Sequence, residues 1–197
     1  EQLHAHPGDE SILTLLGLSV QMQGRPGDAA VYFEQLTRLH PDAALHWNNL
    51  GSVLRDAGRS EDAEAAYRRA QALAPGDSQV LENLGLLYYD RADYAAARVC
   101  FLGASELDPA STTARIYGAH ACCECTDMPS AEHLVAPWWQ WSNIDFEQQL
   151  LLASIMIRLS HVDTAETILR RSLPRAPDKA RVTVRLLMLC ERLNRVD

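Results

Sequence analysis

A period of 34 residues runs through this chain of 197, and it narrows the possible folds more than any other feature does. Pro7, Pro41, Pro75, Pro109 and Pro177 fall on one lattice, with Asn143 at its vacant site. Gly17, Gly51 and Gly85 fall on a second, continued by Ala119 and Ala153. A third reads Ala29, Ala63, Ala97, Ala131 and Ala165, and a fourth reads Phe33, Tyr67, Phe101, Val135 and Leu169. Coincident lattices of this kind make the chain an array of equivalent units, each too small to bury an apolar face alone.

Each lattice residue has a physical task. Trp47, Leu50, Gly51 and Leu54 follow i, i+3, i+4, i+7 spacing, so they form one apolar stripe on a first helix. Gly51 lets a neighbouring helix approach closely. The segment from about Ser60 to Ala72 predicts a second helix, in which Ala63 is small enough to pack against and Tyr67 fills the space left open. Ala57-Gly58 marks the turn between them, and Pro75 ends the second helix. Helices therefore alternate about every 17 residues, half the repeat period, with no strands.

These residues resemble the tetratricopeptide repeat, whose pattern of Trp, Leu-Gly, Tyr, Ala, Phe and closing Pro is fullest in the second and third copies. There it reads Trp47, Leu50-Gly51, Leu54, Ala63, Tyr67, Ala70 and Pro75, then Leu81, Leu84-Gly85, Tyr88, Ala97, Phe101, Ala104 and Pro109. The resemblance covers essentially the whole chain and implies an all-α solenoid, a right-handed superhelix of antiparallel helix pairs forming a single domain. The repeats are Glu10–Ala43, Ala44–Asp77, Ser78–Ser111, an irregular Thr112–Asp145 and Phe146–Lys179, followed by a final helix over 180–195. Glu1 to Asp9 reads as the tail of an earlier helix, and the chain reads as part of a longer array. The last helix carries Val182, Leu186, Leu189, Cys190 and Leu193 on one face, which makes self-association through it the expected alternative to a solvating cap.

In the fourth repeat the period survives while the residues change. Arg115 stands at the Trp47 position, Gly118-Ala119 replaces Leu-Gly, and Pro137 falls where the second helix would continue, predicting a kink or an end. Trp138, Trp139 and Trp141 follow, either packing a broken helix or offering an aromatic surface to a partner. Cys122 and Cys125 have C-x-x-C spacing with His120 nearby, but Cys122 and Cys123 point about 100° apart on a helix. No metal site is expected, and the cysteines read as small apolar fillers.

No Gly-rich phosphate loop, G-x-S-x-G turn or H-E-x-x-H helix occurs, so neither catalytic residues nor a cofactor is expected. The formal net charge of −8 argues against nucleic acid as partner. Nine basic residues against five acidic lie from Arg158 onward, so the preceding residues are the acidic part. No apolar run reaches the roughly 18 residues needed to span a bilayer. Five cysteines set in helical apolar patterns suit a reducing cytoplasm, and seventeen arginines against one lysine suit a GC-rich bacterial genome.

In such arrays the first helices line a concave groove, which the resemblance implies is the binding face. The lysine, arginine and asparagine clamp of the family's chaperone-tail binders is not retained: Thr14, Leu18, Asn49, Gln79 and Asn83 stand at its positions. Asn49 and Asn83, one period apart, resemble instead the asparagine ladder of the O-linked sugar transferase, which binds extended peptides. An amide both donates and accepts, so it can hold a peptide backbone without reading its sequence. The expected contacts are Asn48, Asn49, Ser52, Arg55, Gln79, Glu82, Asn83 and Tyr89, with His120 and Arg158 further along. Two functions fit: a non-catalytic scaffold for a protein or extended peptide, and a substrate- or partner-positioning domain of a larger bacterial enzyme such as a sulfotransferase or glycosyltransferase.

Overall fold

The structure, a computed structural model, describes residues 9–136 and 144–175, with 180, 183 and 184 beyond them. Ten α-helices follow one another: α1 Glu10–Met22, α2 Pro26–Leu39, α3 Ala44–Asp56, α4 Ser60–Leu73, α5 Ser78–Asp90, α6 Tyr94–Leu107, α7 Thr112–Glu124, α8 Met128–Val135, α9 Phe146–Arg158 and α10 Val162–Ser172. A 3-10 turn over Leu173–Arg175 closes the series, and no strand occurs among the described residues. The all-α solenoid of antiparallel helix pairs that the period implies is the fold observed.

The helices divide into two compact units, Glu1–Arg91 with α1 to α5 and Ala92–Asp197 with α6 to α10. In the first, each helix packs against the next, and α3 also touches α5. In the second, α7 packs against α6, α8 and α9, and α10 covers α9. Antiparallel pairing follows from the turns, which are too short to let the chain do anything but double back. Each turn inside a helix pair contains one residue in the left-handed region: Gly24 (φ 73°), Gly58 (75°), Ala92 (57°), Thr126 (61°) and Ser160 (65°). These five are themselves one period apart. In the last three a Cβ sits where glycine is favoured, at a cost of roughly 1 to 2 kcal/mol each.

The glycine and aromatic lattices interlock. A Cβ at Gly17 would lie 2.7 Å from the Phe33 ring, and one at Gly51 would lie 2.6 Å from the Tyr67 ring, so both glycines are required by contact with the second helix of their own pair. In the irregular repeat the glycine has moved one place. A Cβ at Gly118 would meet Phe101 Cβ of the preceding helix at 2.9 Å and Leu134 Cδ1 at 3.2 Å. The close approach has thus shifted toward α6, and Ala119 joins Cys122, Cys123, Val135, Ala153 and Leu169 in the apolar core of the second unit.

The helix expected to break at Pro137 ends at Val135 after eight residues, whereas α2, α4 and α6 each run for fourteen. Pro137, Trp138, Trp139 and Trp141 lie outside the described residues, as do the chain before Asp9 and Leu186 and Leu189 of the expected last helix. Arg115 takes over two tasks here. Trp47 Nε1 donates to the Pro41 carbonyl at 2.8 Å, and Arg115 Nη1 makes the equivalent bond to Pro109 at 3.2 Å. Its Nε also donates to the Leu134 carbonyl at 2.9 Å and its Nη2 to His133 at 3.4 Å, which caps carbonyls at the end of the short α8. Gln149, at the same repeat position, donates to the Ile144 carbonyl at 3.0 Å. Three unlike side chains, Trp47, Arg115 and Gln149, therefore make the same kind of tie from the helix start to the preceding loop, while Leu13 and Leu81 hold the position by apolar packing alone.

Between α4 and α5 a polar network locks the stack. Glu64 accepts from the Tyr88 hydroxyl at 3.0 Å and from Arg91 Nη1 at 2.6 Å, and Arg68 Nη2 donates to Tyr88 at 3.0 Å. Burial alone would raise the Glu64 pKa, but bonds from Tyr88 and Arg91 and the charges of Arg68 and Arg91 outweigh it and hold the carboxyl below its ordinary value. A carboxylate depressed in the folded state contributes stability above its unfolded pKa of 4.5 and loses that contribution as pH falls through the lower folded value. Urea unfolding of wild type and Glu64→Gln should show a gap that is constant above pH ~5 and closes below pH ~4. A gap that persists unchanged into acid would mean that the ionised carboxylate is not what the network uses.

Candidate functional site

The chemistry of a repeat array lies in the side chains that packing leaves over. On α3, His46, Asn48, Leu50, Gly51, Val53 and Leu54 are buried, while Leu45, Asn49, Ser52, Arg55 and Asp56 keep part of their surface. Their counterparts on α5 are Gln79, Asn83, Leu86, Tyr89 and Asp90, with the half-buried Glu82 at the Asn48 position, and on α1 Leu15, Leu18 and Met22 stand at the Asn49, Ser52 and Asp56 positions. Within the first unit these three first helices are joined side by side by polar bonds. Gln21 Nε2 donates to Asp56 Oδ2 at 2.8 Å, Glu10 faces His46 Nε2 at 3.2 Å, and Arg55 Nε lies 3.9 Å from Asp90 Oδ2.

The asparagines are placed differently from a simple ladder. Asn83 Nδ2 donates to Asn48 Oδ1 at 3.0 Å, and Gln79 Nε2 donates to Asn83 Oδ1 at 3.4 Å. Asn48 is buried and serves as a strut between α3 and α5, so its amide is spent on the fold. Asn49 is half-buried on the wall. Asn83 joins both roles, because an amide carries two N–H donors and only one is committed to Asn48. Sequence spacing identified the row but not which asparagine turns inward, a distinction set by about 100° of helix rotation between neighbours.

Near the C-terminal ends of α3 and α5, Ser52, Arg55, Asp56 and Asp90 gather over Tyr67. The Tyr67 hydroxyl reaches the wall beneath Gly51. Burial pushes its pKa up to about 12, with Arg55 opposing the rise. Ser52 lies beside this hydroxyl, yet Tyr67 Oη completes no hydrogen bond, and neither does the buried Arg55 Nη1. Sequence reasoning assigned Tyr67 only to packing. Its signal was available, because it is the single hydroxyl-bearing residue on a lattice of Phe33, Phe101, Val135 and Leu169.

In the second unit, His120 and Arg158 converge on Glu124. His120 Nε2 lies 3.6 Å from Glu124 Oε1, and Arg158 donates to the Glu124 carboxylate and to the Cys123 carbonyl, joining α9 to α7. Burial lowers the His120 pKa against the opposing charge of Glu124. The Tyr94 ring meets the His120 ring edge-on, with centroids 5.9 Å apart. Cys122 and Cys123 are fully buried, and burial pushes the Cys122 thiol up to about 12 and raises Cys123. Thiols in that state are poor nucleophiles and poor metal ligands. Among the described residues no three His, Cys, Asp or Glu side chains are placed to hold a metal ion, and no helix is long and apolar enough to cross a membrane.

Known proteins share the repeat pattern. Residues 14–78 and 78–111 each match the tetratricopeptide repeat pattern. The peroxisomal targeting signal receptor of Saccharomyces cerevisiae is 41% identical over 54 residues, which is 27% of this chain and 9% of that protein. Human tetratricopeptide repeat protein 7B is 26% identical over 111 residues, 56% of this chain and 13% of that protein. The chain thus spans only about a tenth of the length of these curated relatives. Among solved structures, PilF of Pseudomonas aeruginosa superposes with a TM-score of 0.78 at 18% identity, covering 94% of this chain and 84% of its own. A thermophilic repeat protein of Thermus thermophilus gives 0.67 at 16% identity, covering 92% and 98%. Likeness at such identities speaks for the fold.

Proposed function

This chain belongs to the tetratricopeptide-repeat family, and on that footing we propose that it is a non-catalytic scaffold holding an extended peptide against the wall of α1, α3 and α5. The observation that carries the reading is the pairing of Asn48 with Asn83, which fixes one amide and leaves a second N–H on Asn83 for a partner. Asn49 and Asn83 stand at the same repeat position, so a backbone laid along the wall meets an amide on α3 and again on α5. Such contacts read main-chain groups and give weak sequence preference. Ser52, Arg55, Gln79, Glu82 and Tyr89 border the same row, and His120 and Arg158, which meet at Glu124, are separate candidate contacts within the second unit.

The test is an affinity comparison for a peptide segment mapped from a captured partner. Replacing Asn49 and Asn83 together by alanine is expected to weaken binding by about 1 to 3 kcal/mol, the scale of one or two hydrogen bonds. Part of any loss in stability belongs to the Asn48–Asn83 strut, so Asn49→Ala alone, which breaks no bond of that strut, gives the cleaner comparison. Unchanged affinity in both variants, or a partner that crosslinks to α2 and α4 instead, would move binding off this wall.

A further inference from the structure

We infer that the wall of α1, α3 and α5 selects a segment that carries apolar side chains next to a basic one, with the basic group seated between Asp56 and Asp90. The inference rests on the peptide-scaffold reading above and adds the chemistry of the partner.

Three observations carry it. The first is charge: the wall residues of α3 and α5 include the carboxylates of Asp56, Glu82 and Asp90 against the single guanidinium of Arg55. Asp90 keeps 61% of its side-chain surface exposed, and its ion pair to Arg55 is long, at 3.9 Å. The second is apolar surface in the same row. Leu15, Leu18 and Met22 follow i, i+3, i+7 spacing along α1, and Leu15 and Met22 are 67% and 89% exposed. They occupy the repeat positions that Asn49, Ser52 and Asp56 occupy on α3. The wall therefore changes from apolar on α1 to acidic on α3 and α5, and one helix spacing separates the two kinds of surface.

The third is the pair of unsatisfied donors. Tyr67 is fully buried and its hydroxyl, although Ser52 lies beside it, completes no hydrogen bond, and the buried Arg55 Nη1 completes none either. Buried donors are normally paired, so two together mark a place where an acceptor belongs. Arg55 is held only by long contacts, 3.7 Å to Asp56 and 3.9 Å to Asp90. A partner's ammonium or guanidinium that takes over these carboxylates releases Arg55 to donate to the partner's main-chain carbonyl. The movement also uncovers the Tyr67 hydroxyl, which then donates to the same segment. A cation on the partner is favoured because the site without it carries one positive and two negative charges, and an acidic segment would meet like charge.

Three fluorescein-labelled dodecapeptides on one extended framework test this by anisotropy with the full chain: leucines with lysines, leucines with glutamates, and serines with lysines. The leucine–lysine peptide should bind roughly tenfold or more tighter than either of the others, a difference of about 1.4 kcal/mol. Asp56→Asn combined with Asp90→Asn should erase the preference for lysine over glutamate, and added salt should weaken the leucine–lysine peptide most. Tyr67→Phe should weaken that peptide several-fold without lowering thermal stability, since it removes only an unpaired hydroxyl. If an ordered water alone satisfies that hydroxyl, Tyr67→Phe leaves affinity unchanged and the carbonyl contact is overturned. Equal binding of the glutamate peptide, preference retained in the double aspartate variant, or no binding of the leucine–lysine peptide overturns the inference. Asn49→Ala weakening all three peptides equally, with no preference among them, would leave the scaffold reading standing while this one falls.

Discussion

Phe101→Ala should cost about 3 to 5 kcal/mol of stability, the largest loss expected from any single change considered for this chain. Phe101 is fully buried on α6, and its Cβ sits where a side chain at Gly118 would have to go. Its ring also stacks on Tyr117, with centroids 6.2 Å apart and planes 30° from parallel. Removing it takes away the apolar surface and leaves a space that the backbone of α7, already in contact, closes only in part. Urea unfolding should rank Phe101→Ala as the least stable, Phe101→Leu next and wild type as the most stable. A loss near 1 kcal/mol for alanine would mean that α6 and α7 collapse onto each other freely, against the tight contact at Gly118.

Arg115→Ala should cost about 2 to 3 kcal/mol, more than a half-exposed arginine on a helix surface ordinarily would. The guanidinium satisfies carbonyls of Pro109, His133 and Leu134, two of which lie in the last turn of α8. Arg115→Trp is the informative companion. An indole can restore the bond to Pro109 that Trp47 makes to Pro41, but it cannot cap α8, so about half of the loss should return. Arg115→Lys should recover little, since one ammonium does not match the fork that reaches three acceptors. Full recovery with tryptophan would place the whole effect in the loop before α7 and none in the cap.

Much of the fold was legible because it is written in residue size, and size repeats. Gly17 with Phe33 and Gly51 with Tyr67 could be paired from spacing alone, and the ring contacts at 2.7 and 2.6 Å are the physical content of that spacing. Polar detail was less legible. Arg115 looked like a loss from the pattern, because the pattern is spelled as an aromatic while the bond that Trp47 makes needs only an N–H donor, which a guanidinium also supplies. Asn48 and Asn49 are adjacent letters with opposite fates, and only the rotation of α3 against α5 decides which is a strut. The left-handed turns at Ala92, Thr126 and Ser160 were hidden for a related reason: the backbone keeps the conformation after the glycine that announces it has gone.

The interlocked glycines also restrict the order in which such a repeat can change. In the first two repeats a glycine faces a ring, whereas in the fourth and fifth Ala119 and Val135, then Ala153 and Leu169, share the apolar core. Passing from one arrangement to the other takes two substitutions, and their order matters. Adding the methyl first forces overlap with a ring less than 3 Å away, as at Gly51 and Tyr67. Trimming the ring first opens a cavity, which is costly but leaves a folded chain able to accept the methyl, and the second step then recovers stability. Alanine at position 51 should therefore be harmful beside tyrosine and beneficial beside valine or leucine at 67, a reversal of sign from one background to the other that makes the two positions a single heritable unit.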